Sequence, residues 1–199
     1  MYALPQHTEI WKQLSKKAIY AKFKLKSSQR ESFDADVSRI DIVAVLSAST
    51  LHSLTPGTEI REVYVLTVQM KSREYDCKNL IMLTKLIPQR MVFALQFGEQ
   101  TQFAVYHTRL ITSDWQLTES AMLPVSGLNL DAVWENMVKH IGQIEIESGN
   151  TLVKQIAAND QRNKLLTQIA TLERKMAKEK QPRKKREYFE QIKQLKSQL

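Results

Sequence analysis

The chain has 199 residues, of which 43% are hydrophobic, so it can form one domain of ordinary size with a buried core and an appendage. It contains no run of about 18 apolar residues and no signal-peptide pattern at its start, which predicts a cytoplasmic protein that does not enter a membrane. The single cysteine excludes an intramolecular disulfide and a cysteine-based zinc site.

The formal charge of +8 is concentrated at the two ends of the chain. Residues 1–30 carry a net charge of +6 and residues 159–199 a net charge of +7, so the segment between them carries −5. Positive charge distributed in this way indicates an anionic partner. We expect nucleic acid rather than a membrane, because no strongly apolar helix face accompanies the charge.

The beginning of the chain predicts a helix. Thr8 is a candidate N-cap, and Trp11, Leu14 and Ala18 recur after it at three- and four-residue spacing. We expect this helix to end before Ser27.

A strand hairpin is predicted next, after a polar stretch in which Asp34 is a possible helix cap. The run from Ile40 to Thr50 is rich in β-branched residues and apolar on both faces, which predicts a buried strand. Residues 59–71 predict a second strand, and the turn residues Pro56 and Gly57 favour antiparallel pairing of the two.

One helix and two further strands complete the predicted sheet. Asp76 is expected to cap the helix and Pro88 to end it. Residues 91–97 and 101–111 predict strands joined by a turn at Gly98. The fold class predicted for residues 1–127 is therefore α+β, with a small and mostly antiparallel sheet of four or five strands and flanking helices.

The remainder of the chain is predicted to be helical, with connecting helices over residues 128–158, where the helical pattern begins at Asn129, and a basic helical hairpin or coiled coil over residues 159–199. Two apolar seams on either side of Pro182 suggest antiparallel arms. A single helix kinked at Pro182 and pairing with a second copy are the alternatives. The seam residues are Leu165, Ile169, Leu172 and Met176 before the proline, and Tyr188, Ile192, Leu195 and Leu199 after it.

The most concentrated charge lies around Pro182. Six like charges in one short segment repel one another unless a polyanion or salt screens them, so phosphate contact is the functional interpretation. A solvated surface that favours solubility is the alternative. The candidate nucleic-acid-binding residues are Lys178, Lys180, Arg183, Lys184, Lys185 and Arg186. Tyr188 and Phe189 are candidates for base stacking or for seam packing.

A second candidate site is catalytic. Metal-dependent nucleases of the PD-(D/E)XK class place an acidic residue on one strand and an (E/Q)-x-K pair on the next. Asp41 on the first strand of the predicted hairpin, and Gln69 and Lys71 on the second, fit this spacing, with Glu62 as a further carboxylate. Carboxylates would hold Mg²⁺, which lowers the pKa of a bound water, and the lysine would orient the nucleophile. The alternative is that these are ordinary strand residues.

Other catalytic patterns are missing from the sequence. The four histidines are scattered without metal-ligand spacing, there is no glycine-rich phosphate loop, and Cys77 has no base near it in the chain. We therefore expect no resident cofactor, with Mg²⁺ needed only if the nuclease alternative holds.

Several short motifs follow one another along the chain. They are Leu4-Pro5 with Thr8, the pair Lys16-Lys17, the segments DADVSRIDIVAVLSAST and REVYVLTVQMK, Ile87-Pro88, RMVFALQF, FAVYHTR, and the lysine- and glutamine-rich ending. Their order resembles a known family, the bacterial domain of unknown function numbered 4391. The resemblance implies an accessory protein of a bacterial anti-phage or restriction-like system that works beside a helicase or a DNA methyltransferase.

Residues and resemblance together predict an interaction module rather than an enzyme. Its partner is expected to be a protein such as a helicase or methyltransferase, with DNA bound by the two basic ends. A third interpretation makes the hairpin a docking or dimerisation arm that binds its partner through Leu172, Ile192 and Leu195. The sequence leaves the oligomeric state open.

Overall fold

The computed structural model describes residues 1–52 and 54–198. The chain divides into two compact units, Met1–Ile144 and Glu145–Leu199. The first unit extends beyond Gly127, because the helix that follows packs on the sheet. Its helices are α1 (Lys16–Phe23), α2 (Ser27–Asp36), α3 (Cys77–Leu83) and α4 (Leu130–Gly142). Its strands are β1 (Glu9–Gln13), β2 (Val37–Ser47), β3 (Glu62–Met70), β4 (Arg90–Phe97), β5 (Gln100–Tyr106), β6 (Leu110–Thr112) and β7 (Gln116–Leu117). The second unit contains α5 (Leu152–Lys178) and α6 (Pro182–Lys196).

The strands form one open sheet in the order β1-β2-β3-β4-β5-β6, with β7 paired to β5. β2 and β3 are the predicted antiparallel hairpin. β3 and β4 run parallel, because α3 lies in the crossover between them. The remaining neighbours are antiparallel. This arrangement confirms the predicted α+β class with a mostly antiparallel sheet.

Helices cover both faces of this sheet. Ile19 of α1, Phe33 of α2 and Leu80 of α3 are buried in the main apolar cluster on one face. The other face packs against α4, which contacts β3, β5 and β6 through buried residues that include Val133 and Met137. Because side chains alternate between the faces of a strand, a central strand here is apolar on both sides.

The predicted first helix is wrong over its first half. Thr8 does not cap a helix, since its hydroxyl donates to the carbonyl of Pro5 and closes a short 3₁₀ turn. The next five residues form β1, the edge strand beside β2, and Trp11 on it is 67% exposed. Pairing with β2 provides hydrogen-bond partners for the backbone N–H and C=O groups of this segment, although the spacing of its apolar residues had predicted a helix. The helix itself, α1, begins only at Lys16.

One of the three predicted helix caps is confirmed, because the side chain of Asp76 caps α3. Asn129, at which the helical pattern was predicted to begin, caps α4. Asp34 is not a cap, because it lies inside α2 and accepts hydrogen bonds from Lys16 at 2.7 Å and from the Tyr20 hydroxyl at 2.5 Å. Its carboxylate therefore joins α2 to α1.

The second unit is an antiparallel helical hairpin. The short segment 179–181 separates the helices, Pro182 is the first residue of α6, and Lys196 near its end pairs with Glu173 of α5 at 3.0 Å. This excludes the single helix kinked at Pro182. The seam residues Leu165, Ile169, Leu172, Met176, Tyr188, Ile192 and Leu195 are buried or half-buried, and Leu199 lies outside the described residues. Within the described chain, no helix combines the length and apolar character that crossing a membrane requires.

Candidate functional site

The turn between α5 and α6 presents a cluster of positive charge to solvent. We call this cluster the hairpin tip, and its members are Lys178, Lys180, Arg183, Lys184, Lys185 and Arg186. All six are exposed, and the Arg183 side chain is 93% accessible. Arg183 pairs with Glu187 at 3.4 Å, whereas the other five form no salt bridge with any described residue.

An acidic residue inside the turn offsets only part of this charge. The Glu179 carboxylate accepts hydrogen bonds from the backbone N–H groups of Lys180 at 2.9 Å and Gln181 at 3.0 Å. The N–H of Gln181, followed by that of Lys180 and the charges of Lys184 and Lys185, holds the pKa of Glu179 below its usual range. Glu179 therefore fixes the backbone of the turn.

The position of the cations within α6 is electrostatically unfavourable for the helix. Arg183, Lys184 and Lys185 follow Pro182 in the first turn, where the helix carries partial positive charge and where acidic residues are stabilising. The first turn of α6 has no acidic residue. Helix stability therefore does not account for these residues, whereas an anion bound at this end would interact favourably with both the cations and the free N–H groups.

The predicted partner-binding residues of the hairpin are shielded from solvent. Ile192 is 5% exposed, and Leu172 and Leu195 are half-buried, as expected for a seam between the packed helices α5 and α6. Of the two candidate stacking residues, Tyr188 is half-buried in the seam and Phe189 is 55% exposed. Phe189 is thus the aromatic of the pair that an external ligand can reach.

The basic first segment is partly used by the fold. The Lys16 ammonium donates to Asp34, and this hydrogen bond is the main reason that the pKa of Asp34 lies below its usual range. Lys22 donates to the carbonyl of Leu86. The other exposed lysines of this segment are Lys12, Lys17, Lys24 and Lys26.

The structure brings Asp41 and Gln69 to one face of the sheet. Asp41 on β2 lies opposite Thr67 on β3, and Gln69 lies opposite Arg39. Residues opposite one another in an antiparallel pair share a face, as do residues two apart on one strand. The first two members of the predicted nuclease pattern are therefore neighbours.

Both residues already have partners in a cluster that we call the sheet-end network, formed by Tyr2, Arg39, Asp41, Gln69 and Gln96. Asp41 is 6% exposed and is bound by the Arg39 guanidinium, with 2.7 Å between Nε and Oδ2. The Gln69 amide donates to Gln96, whose own amide donates to the Tyr2 hydroxyl at 2.7 Å. Burial raises the pKa of Tyr2. Among the described residues, no buried side-chain nitrogen or oxygen lacks a partner.

Lys71 and Glu62 lie away from this network. Lys71 is exposed beyond the end of β3, and its Cα lies four residues past Thr67, about 13 Å further along the strand direction than the position opposite Asp41. Its backbone N–H donates to the carbonyl of Asp36 at 2.8 Å. Glu62 begins β3 at the opposite end and accepts from the Tyr64 hydroxyl.

The sheet-end network offers few ligands for Mg²⁺. Asp41 is the one carboxylate of the network and already binds Arg39. The described residues contain no group of three or more His, Cys, Asp or Glu side chains placed to hold a metal ion. Since Mg²⁺ in such sites is held by one or two carboxylates with free oxygens, the arrangement fits it poorly.

The hydrogen-bond and ion-pair partners of the candidate catalytic residues were not predicted from the sequence. Tyr2 lies 94 positions from Gln96, so no local pattern connects them. Gln96 did carry a signal, because it is a buried polar residue at the end of an otherwise apolar strand. A buried amide of this kind requires hydrogen-bond partners, and these come from two other segments of the chain.

Among the histidines, His107 makes a structural contact. His107 accepts a hydrogen bond at Nδ1 from the Trp134 indole at 3.2 Å. Burial, and then the charge of Arg90, lowers the pKa of His107. The rings of His7 and His52 lie 6.4 Å apart.

A family model covers both units of the chain. The model of a domain of unknown function, DUF4391, matches residues 3–199. The chain belongs to the DUF4391 family. This confirms the resemblance carried by the short motifs of the sequence. No curated protein and no solved structure matches this DUF4391 chain.

Proposed function

We propose that this DUF4391 protein is an accessory interaction module that binds a nucleic-acid backbone through its hairpin tip and a protein partner through other surfaces. The observation that carries the proposal is the exposed tip, where residues 178–187 hold six basic and two acidic side chains, a net charge of +4. In this proposal the partner is a helicase or methyltransferase of a bacterial anti-phage or restriction-like system, as the family resemblance implies.

Phosphate is the ligand chemistry that best suits the tip. Arginine binds phosphate oxygens in bidentate geometry and lysine binds them as a point charge. Neutralising several phosphates releases their counterions, which gives binding that depends steeply on salt and little on sequence. The exposed lysines of the first segment, Lys12, Lys17, Lys24 and Lys26, are a second source of such contacts.

Binding of a labelled DNA duplex, measured by fluorescence anisotropy at about 50 mM salt, tests the proposal. We expect replacement of Arg183, Lys184, Lys185 and Arg186 by glutamine to weaken binding at least about 100-fold. Glutamine keeps the polarity and helix propensity of these positions while it removes the charge.

A matched control removes the same charge elsewhere in the second unit. The substitutions are Lys154→Gln, Arg162→Gln, Lys164→Gln and Lys193→Gln, all at exposed positions. We expect this variant to lose less than about fivefold in affinity. Equal losses in both variants, or no binding by the wild type at low salt, would remove the DNA part of the proposal.

Binding measured over a series of salt concentrations distinguishes phosphate contact by the hairpin tip from protein docking by the apolar seam. Partner binding through Leu172, Ile192 and Leu195 would be insensitive to salt, because it buries apolar surface. These residues already form the seam, so a partner would have to compete with the hairpin for them. Co-purification of the native complex at low and high salt tells the two modes apart.

The second candidate is a metal-dependent nuclease of the PD-(D/E)XK class. It is favoured by the shared face of Asp41 and Gln69 and by the order of a strand hairpin, α3 and the parallel strand β4. Plasmid nicking with added Mg²⁺ or Mn²⁺ tests it. Nicking by the wild type that is abolished in Lys71→Ala and retained in the control Lys78→Ala would establish the nuclease, whereas equal activity in all three proteins would exclude Lys71.

A further inference from the structure

One edge of the sheet is open to solvent. β1 pairs with β2 on one side, and no other described strand pairs with its second side. Its side chains from Ile10 to Gln13 are exposed, with Ile10 at 39% and Trp11 at 67%. Edge strands normally protect themselves with charged residues, so two large exposed apolar side chains on a five-residue edge strand point to a partner.

An apolar groove adjoins this edge on the face that α1 covers. It has a volume of about 350 Å³, and Lys12 of β1 lines one side of it. The apolar lining includes Leu14, Ala18, Ile42, Leu66, Ile87 and Met91. A space of this size and character accepts a branched aliphatic side chain.

The charge around the edge is positive. Lys12 and Lys22 both line the groove, and Lys17 and Lys24 are exposed on or beside α1. Glu9, the acidic residue of β1, is already paired with the terminal ammonium at 2.7 Å. A second copy of this chain would bring another segment with a net charge of +6 to the same place, so self-pairing is disfavoured.

We propose that β1 and the adjoining groove dock an extended acidic segment of a partner protein. The segment adds a strand beside β1 through backbone hydrogen bonds, places one aliphatic side chain in the groove, and sets its carboxylates against Lys12 and Lys22. This goes beyond the proposed function, because the hairpin tip belongs to the other unit and each surface can be tested without the other.

The groove favours a peptide over nucleic acid. A strand edge offers alternating N–H and C=O groups that match another strand. An aliphatic cavity offers no hydrogen-bond partners for a phosphate or a base, so burying either one there is unfavourable. Trp11 and the exposed lysines around it are features that nucleic acid would share, so the experiment includes an oligonucleotide as a competitor.

The test uses the full-length protein and a fluorescent peptide of about ten alternating Glu and Val residues. Two comparison peptides replace Glu by Lys, or Val by Ser. We expect both to bind at least about tenfold more weakly than the Glu-Val peptide. Amide hydrogen exchange should slow in β1 when the Glu-Val peptide is added.

Two substitutions on α1 form a matched pair. Ala18→Trp fills the groove from an exposed position, and Ala21→Trp adds the same side chain to the same helix outside the groove. We expect Ala18→Trp to weaken peptide binding at least about tenfold and Ala21→Trp to change it less than twofold. Circular dichroism of both variants verifies that they fold.

The proposal would be overturned if the three peptides bound equally or if none of them bound. Equal effects of the two tryptophan variants, or displacement of the peptide by a single-stranded oligonucleotide, would also overturn it. Dimerisation of the wild type that Ala18→Trp prevents would also overturn it, since the occupant would then be a second copy. The glutamine variant of the hairpin tip should bind the peptide normally, so failure of the DNA proposal leaves this test intact.

Discussion

The hairpin tip and the sheet-end network both consist of polar side chains, but under opposite conditions. In the network, Asp41 is 6% exposed and bound by Arg39, and Gln69, Gln96 and Tyr2 satisfy one another. In the tip, the cations are exposed, and Arg183, Lys184 and Lys185 lie in the first turn of α6, at the positive end of that helix. The polar groups of the network are hydrogen-bonded within the fold, so their contribution to stability explains their presence. The cations in the first turn of α6 destabilise the helix that carries them, so their presence requires another explanation.

The comparison predicts its largest stability effect in the network, at Tyr2. Tyr2→Ala removes a buried ring that packs edge-on against Phe103 at 5.3 Å and leaves Gln96 without its acceptor. We expect the free energy of unfolding to fall by about 3 kcal/mol. Urea denaturation followed by circular dichroism measures it.

Tyr2→Phe separates the two contributions. It keeps the ring and removes only the hydroxyl, so the expected loss is about 1–2 kcal/mol. If neither variant changed the unfolding midpoint, the network would not stabilise the first unit, and the contrast with the tip would disappear.

A smaller effect of opposite sign is expected at the tip. Replacing Arg183, Lys184, Lys185 and Arg186 by glutamine relieves charge repulsion at the positive end of α6, so Tm should rise by about 2 °C at low salt. Differential scanning calorimetry at low and high salt measures the shift. Salt should reduce it, and a lower Tm in the variant would mean that the cations stabilise the hairpin.

The smallest effect concerns pH and His107. Its folded-state pKa is lowered by burial, so the unfolded chain binds a proton more readily, and stability should be highest above about pH 6.5 and fall as the pH drops through the folded pKa. Protonation would also break the bond that Nδ1 accepts from Trp134. Urea midpoints between pH 8 and 5 should lose this dependence in His107→Gln, and an unchanged slope would assign it to other groups.

The sequence predicted best those elements whose pattern is local. The strands around Ile40 and Thr67, the cap Asp76, the start of a helix near Asn129 and the regularly spaced seam of the hairpin each depend on residues close together in the chain. The helix predicted around Trp11 is wrong because strand pairing with β2 outweighed the helical spacing of the apolar residues. The Tyr2–Gln96 contact was out of reach for a similar reason, since tertiary contacts between distant segments leave no periodic trace.

The same distinction applies to the two candidate sites. Charge at the tip is visible in the sequence, and its exposure follows from a turn at Pro182 that the sequence also predicts. Whether Asp41 is available depends on Arg39, two residues away on the same face of β2, and on how deeply the strand lies in the sheet. Burial of a strand end is set by the whole first unit and cannot be read from a spacing.

The salt dependence of DNA binding tests most directly whether the tip contacts phosphate. Each phosphate contact contributes about 0.9 to the slope of log Kd against log salt concentration for duplex DNA. Removing four cations from the tip should therefore lower this slope by about 3–4 relative to the wild type, while the variant that loses Lys154, Arg162, Lys164 and Lys193 keeps the wild-type slope. Parallel lines for the wild type and the tip variant would contradict the assignment of the tip to nucleic acid.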